Sequence, residues 1–66
     1  MKPKWEDAPE WANYVAMDED GEWWFYRDKP VLGVVGWRSS ELSELCEFCE
    51  VSTRVFWEDS LIERPK

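Results

Sequence analysis

Tyr14-Val15-Ala16-Met17-Asp18-Glu19-Asp20-Gly21-Glu22-Trp23-Trp24-Phe25-Tyr26 is the stretch whose reading decides the fold. Asp18-Glu19-Asp20-Gly21 carries turn-forming residues, and glycine takes the positive φ that closes a hairpin of this length. The flanking segments, residues 13–17 and 22–28, read as two antiparallel strands because β-branched and aromatic side chains fit a pleated surface. Alternation puts Val15 and Met17 on one face and Tyr14 and Ala16 on the other. On the second strand Trp23 and Phe25 share one face, Trp24 and Tyr26 the opposite one. A sheet with one wet face alternates apolar with polar residues, and this ribbon does not. Either another segment covers the second face or that face is left for a partner.

Working outward, Lys29-Pro30 ends the second strand and residues 34–39 read as a third. Gly36 inside it leaves room for an aromatic ring of a neighbouring strand, with Trp37 on the opposite face. Residues 40–48 admit two readings. Leu42, Leu45, Cys46 and Cys49 follow helical spacing, with a serine to cap and Glu41 and Glu44 in the first turn, whereas Leu45, Cys49, Val51 and Val55 fit an extended run. The capping signals favour a helix over 40–48. Residues 53–57 are β-branched and aromatic and read as a fourth strand, residues 59–64 as a last turn ended by Pro65. Towards the amino terminus, Ala8-Pro9-Glu10-Trp11 starts a helical turn with Asp7 as cap, and residues 1–4 are frayed. The expected fold class is α+β: a small antiparallel β-meander of three to four strands with one or two short helices, in one domain over residues 1–66.

Six tryptophans in 66 residues carry much of the core, because a chain this short buries only roughly 60% of the surface its unfolded form exposes. Fifteen acids against eight bases give a formal charge of −7, with no histidine. That sign repels phosphate backbones and disfavours direct nucleic-acid binding. It suits a basic protein partner, or it keeps an aromatic-rich chain soluble. No apolar run reaches the ~20 residues of a membrane span and no signal peptide opens the chain, so the expectation is a cytoplasmic protein without membrane contact.

Cys46-Glu47-Phe48-Cys49 is the one pattern that bears on metal or redox chemistry. Structural zinc takes four ligands, usually cysteine or histidine, so a site at Cys46 and Cys49 would need a second copy of the chain or carboxylates as substitutes. A redox pair wants positive charge nearby, and Glu47 and Glu50 have the wrong sign. Small packed side chains are the plain reading, a zinc-linked or disulfide-linked homodimer the alternative. No cofactor is expected. A serine nucleophile without histidine lacks its usual base, the acids at 18–22 sit on a hairpin tip, and Gly33-Val34-Val35-Gly36 is no phosphate loop, so the chain reads as non-enzymatic. Glu41, Glu44, Glu47 and Glu50 recur every third residue. On a helix they would form an acidic ridge, either a wet face or an imitation of a nucleic-acid backbone.

Trp5-Glu6-Asp7-Ala8-Pro9-Glu10-Trp11-Ala12, Asp20-Gly21-Glu22-Trp23-Trp24, Gly36-Trp37 and Trp57-Glu58-Asp59-Ser60-Leu61-Ile62-Glu63-Arg64-Pro65 together form a frame that resembles a group of short uncharacterised proteins encoded by bacteriophages and prophages. The likeness spans residues 5–37 and the last ten, and leaves out the cysteine segment. It names no chemistry. What it implies is context: an accessory protein in the bacterial cytoplasm that binds and redirects a host protein. With that context, the expected contact residues are Trp24, Tyr26 and Trp37, because Trp and Tyr dominate interface hot spots, rimmed by Glu41, Glu44 and Glu47. The chain would act as a monomer or homodimer. The rival reading is an acidic mimic that occupies a host protein which binds DNA or RNA.

Overall fold

In the computed structural model, which describes residues 4–39, 41–46 and 56–65, the opening hairpin is the centre of the sheet. Strands β1 (Tyr14–Met17) and β2 (Trp23–Tyr26) pair antiparallel with Val15 opposite Phe25 and Met17 opposite Trp23. Gly21 closes the turn with φ 89°, as the sequence predicts. Val31–Leu32 (β3) and Trp37–Arg38 (β4) make a separate small hairpin, Ser43–Leu45 (β5) pairs with β2, and Ile62–Glu63 (β6) pairs with β1. The main sheet therefore runs β5-β2-β1-β6, antiparallel throughout, with the chain's late segments flanking the early hairpin on both sides. Among the described residues the helical elements are two single 3-10 turns, Trp5–Asp7 and Trp57–Asp59. The fold is mostly β, and no described helix is long and apolar enough to cross a membrane.

Several expectations are corrected here. The helix over 40–48 gives way to strand β5, because pairing with the exposed edge of β2 satisfies a row of backbone groups that a lone helical turn could not. Residues 40, 47 and 48 lie outside the described part. The third strand over 34–39 is instead a turn and a short β4: Gly33 N–H donates to Gly36 O at 2.9 Å, and Val34 and Val35 sit at the tip. Of the fourth strand over 53–57, residues 53–55 are outside the described part and Trp57 begins a 3-10 turn. The turn placed over 59–64 falls earlier, and residues 62–63 are strand β6. At the amino terminus the helical turn starts at Trp5, followed by a tight turn in which Ala12 N–H donates to Pro9 O at 3.0 Å.

Trp-Glu-Asp occurs twice in the chain and folds the same way twice. Ala8 N–H closes the first turn onto Trp5 O at 3.0 Å, and Ser60 N–H closes the second onto Trp57 O at 3.1 Å. These two turns roof one face of the sheet. Trp5, Ala8, Trp11, Trp57 and Ile62 pack against buried Ala12, Val15, Met17, Trp23, Phe25 and Cys46. The Trp5 and Phe25 rings lie 6.3 Å apart and tilted, a favourable aromatic geometry. Trp23 is buried at 2% exposure, and its indole N–H has no acceptor among the described residues, a cost its packing has to offset.

A side chain completes the ladder at the end of β1. Ser60 stands in register with Met17, but its own N–H already closes the 3-10 turn. Its hydroxyl takes the backbone's place: Met17 N–H donates to Ser60 Oγ at 2.8 Å, and Ser60 Oγ lies 3.1 Å from Met17 O and 2.5 Å from Trp57 O.

Candidate functional site

The second face of the ribbon, bearing Trp24 and Tyr26, lies beside the β3–β4 hairpin, and the contact starts from the acidic turn. Leu32 and Trp37 face each other one step from the bonded Gly33–Gly36 pair, so Trp37 N–H points out of the small hairpin. Asp18 Oδ1 accepts it at 2.9 Å, and Glu19 N–H donates to Val35 O at 3.2 Å. A carboxylate and one peptide group thus act as a third strand along the edge of β4. Trp37 makes a second bond through its indole, donating to Trp57 O at 3.1 Å. The aromatic ring expected beside Gly36 is replaced by the Asp18 carboxylate: a Cβ at Gly36 would stand 2.7 Å from Asp18 Oδ1.

Between the sheet and the small hairpin is a cleft of about 400 Å³ lined by Asp18, Trp24, Tyr26, Trp37, Arg38, Ser39 and Ser43. The three aromatic residues proposed from sequence therefore converge on one space. Tyr26 is 4% exposed, while Trp24 and Trp37 are half-buried. Glu41 and Glu44 do not join them. Glu41 pairs with Arg27 at 2.7 Å. Glu44 lies opposite Phe25, on the other face of the sheet from Trp24. Because residues 43–45 are a strand and Glu41 lies in the bend before it, Glu41 and Glu44 form no helical ridge. Glu47 and Cys49 lie outside the described residues. Cys46 is buried against the core and is not a free thiol. Among the described residues no group of three or more Cys, Asp or Glu is placed to hold a metal ion.

Two features of the site were missed in the sequence. One is Asp18 as a structural acceptor, since four acids on a turn give no sign of which one faces inward. The other is the aliphatic tip: Val31, Leu32, Val34 and Val35 are all exposed, Val34 by 86%. The signal was present in Gly33-Val34-Val35-Gly36, where two glycines bracket a two-residue turn.

Burial raises the Asp18 pKa above its ordinary value, the bond from Trp37 N–H opposes that, and repulsion from Asp20 adds to the rise. Glu22 is raised through its hydrogen bond and repulsion with Asp20. Tyr26 is pushed well above the usual phenol range, first by burial and then by the Asp18 charge. For the two carboxyl groups the folded state holds the proton more tightly than the unfolded one. Their contribution to stability is therefore full below the unfolded values near 3.8 and 4.5 and declines as pH rises through the higher folded values. Asp18→Asn keeps an oxygen for Trp37 N–H and removes the charge. It should be at least as stable as wild type at pH 7, with a flatter dependence across the acid range, in urea titrations read by tryptophan fluorescence. A variant less stable than wild type at pH 7 would refute this assignment.

Comparison with protein-family models, curated proteins and solved structures finds no match to this chain.

Proposed function

We propose that this chain is a small, non-enzymatic, phage-type accessory protein that binds a host bacterial protein in the cytoplasm through an aromatic, acid-rimmed surface. One observation carries the reading: an exposed aliphatic tip, Val31, Leu32, Val34 and Val35, stands beside the acidic turn and the Trp24–Tyr26–Trp37 cleft. Exposed aliphatics beside aromatic rings, with charge at the rim, have the composition of a contact surface. The net charge of −7 selects a basic partner and steers it in.

The test is capture from a bacterial lysate on immobilised wild type and on a Val34→Asp, Val35→Asp double variant. A specific protein retained at low salt, released by salt and lost from the variant is the expected result. Equal retention by the variant removes the tip from the interface. Displacement of the captured protein by duplex DNA would instead favour the nucleic-acid mimic.

A further inference from the structure

We infer that the cleft between β2 and β4 is the receptor for one arginine side chain of a protein partner. This rests on the binding role proposed above and specifies its chemistry. Trp24, Tyr26 and Trp37 all line the cleft, and aromatic rings attract cations through their quadrupoles. Asp18 sits at the same cleft with only one oxygen engaged: Oδ1 accepts Trp37 N–H, and no bond to Oδ2 is present among the described residues. Tyr26 is 4% exposed as a residue, and its hydroxyl, open to solvent at the cleft, has no hydrogen-bond partner among the described residues. A carboxylate oxygen and a phenol beside flat rings call for a planar donor with positive charge.

The alternatives fit less well. An anion would meet the Asp18 charge. An apolar side chain would strip water from that partly buried carboxylate and leave its second oxygen unpaired. An ammonium is a point charge with a tightly held water shell, whereas a guanidinium is planar, weakly hydrated, stacks on rings and presents five donors. The volume lies within the ~300–1,000 Å³ of small-ligand sites, ample for a guanidinium and its stem. The chain's own Arg38 lines the mouth, but its stem passes over Gly33, where its Cγ and Nε each lie 3.3 Å from the place of a Gly33 Cβ. It adds a like charge at the rim, which the acidic turn opposes.

The experiment titrates acetyl-Gly-Arg-Gly-amide into the full chain and follows the indole N–H signals of Trp24 and Trp37 by NMR, with lysine and citrulline peptides in parallel. Arginine should bind about tenfold or more tighter than citrulline, its neutral counterpart. Asp18→Asn should weaken arginine binding about tenfold while the β1–β2 ladder amides keep their shifts, and Arg38→Gln should tighten it. Equal binding of citrulline, arginine binding unaltered by Asp18→Asn, or no shift at Trp24 and Trp37 would each overturn the inference. Loss of peptide binding alongside intact, tip-dependent lysate capture would sink only this assignment. Peptide binding with no captured protein would sink only the broader role.

Discussion

Ser60→Ala is expected to cost about 2–4 kcal/mol, because it strands the buried Met17 N–H and removes the one hydroxyl proton that Met17 O shares with Trp57 O. Met17 N–H loses its acceptor, and Met17 O loses a donor, at a place where Met17 is 1% exposed and water cannot substitute. The backbone cannot move in to replace the hydroxyl, since Ser60 N–H is bound to Trp57 O. Single cores of this size rarely supply more than about 3–5 kcal/mol, so the variant should be substantially unfolded at room temperature. Urea unfolding of wild type and variant, read by tryptophan fluorescence, checks this. A loss below about 0.5 kcal/mol, the range of ordinary surface substitutions, would mean that Ser60 is not the ladder's terminal partner.

Arg64→Lys should cost about 2–3 kcal/mol despite keeping the charge. Arg64 holds the amino-terminal segment from the far end of the chain: Nη1 donates to Ala12 O at 2.9 Å and Pro9 O at 3.1 Å, and Nη2 reaches Trp5 O at 3.4 Å. Its guanidinium also lies over the Trp5 ring, 5.4 Å from the centroid. A single ammonium cannot serve three carbonyls from one position and stack as well. Because the first 3-10 turn roofs the core face, losing the clamp should expose Trp5 and Trp11 before the sheet itself opens. The check is acrylamide quenching together with urea unfolding: increased quenching at zero urea and an earlier midpoint are expected. A Lys variant as stable and as shielded as wild type would contradict the clamp.

How far the sequence can be read follows from these same residues. The central hairpin and the sides on which Val15, Met17, Trp23 and Phe25 lie were legible, because period-two alternation and a glycine turn are local signals. So was the central problem of a ribbon apolar on both faces. The cover for those faces was not legible, since it depends on partners distant in sequence. Arg64 meets Trp5 across most of the chain, Ser60 meets Met17, and Asp18 meets Trp37. Residues 40–48 misled because Leu42, Leu45 and Cys46 happen to fit helical spacing while the open edge of β2 offered a pairing that spacing does not reveal. At the cleft, Trp24, Tyr26 and Trp37, which composition offered as contact residues, line one space, a convergence that no local signal announces. Composition could not show that Glu41 is taken by Arg27, or that Glu44 stands on the other side of the sheet.

Asp18 and Ser60 show one device used twice. Where a strand runs out, a short polar side chain continues the ladder that the backbone has left. This lets a chain with few regular residues satisfy its sheet edges, and at Asp18 it fixes the small hairpin beside the Trp24 and Tyr26 face instead of leaving it to swing free.

Amide hydrogen exchange at Trp37 tests that latch most directly. If the Asp18 carboxylate holds the small hairpin to the sheet, Trp37 N–H exchanges slowly in the wild type. In Asp18→Ala it exchanges at least tenfold faster, while the β1–β2 ladder amides change little. Free exchange of Trp37 in the wild type, or the same rate in both proteins, would mean that the hairpin is not closed over the second face and that the cleft is not a built site.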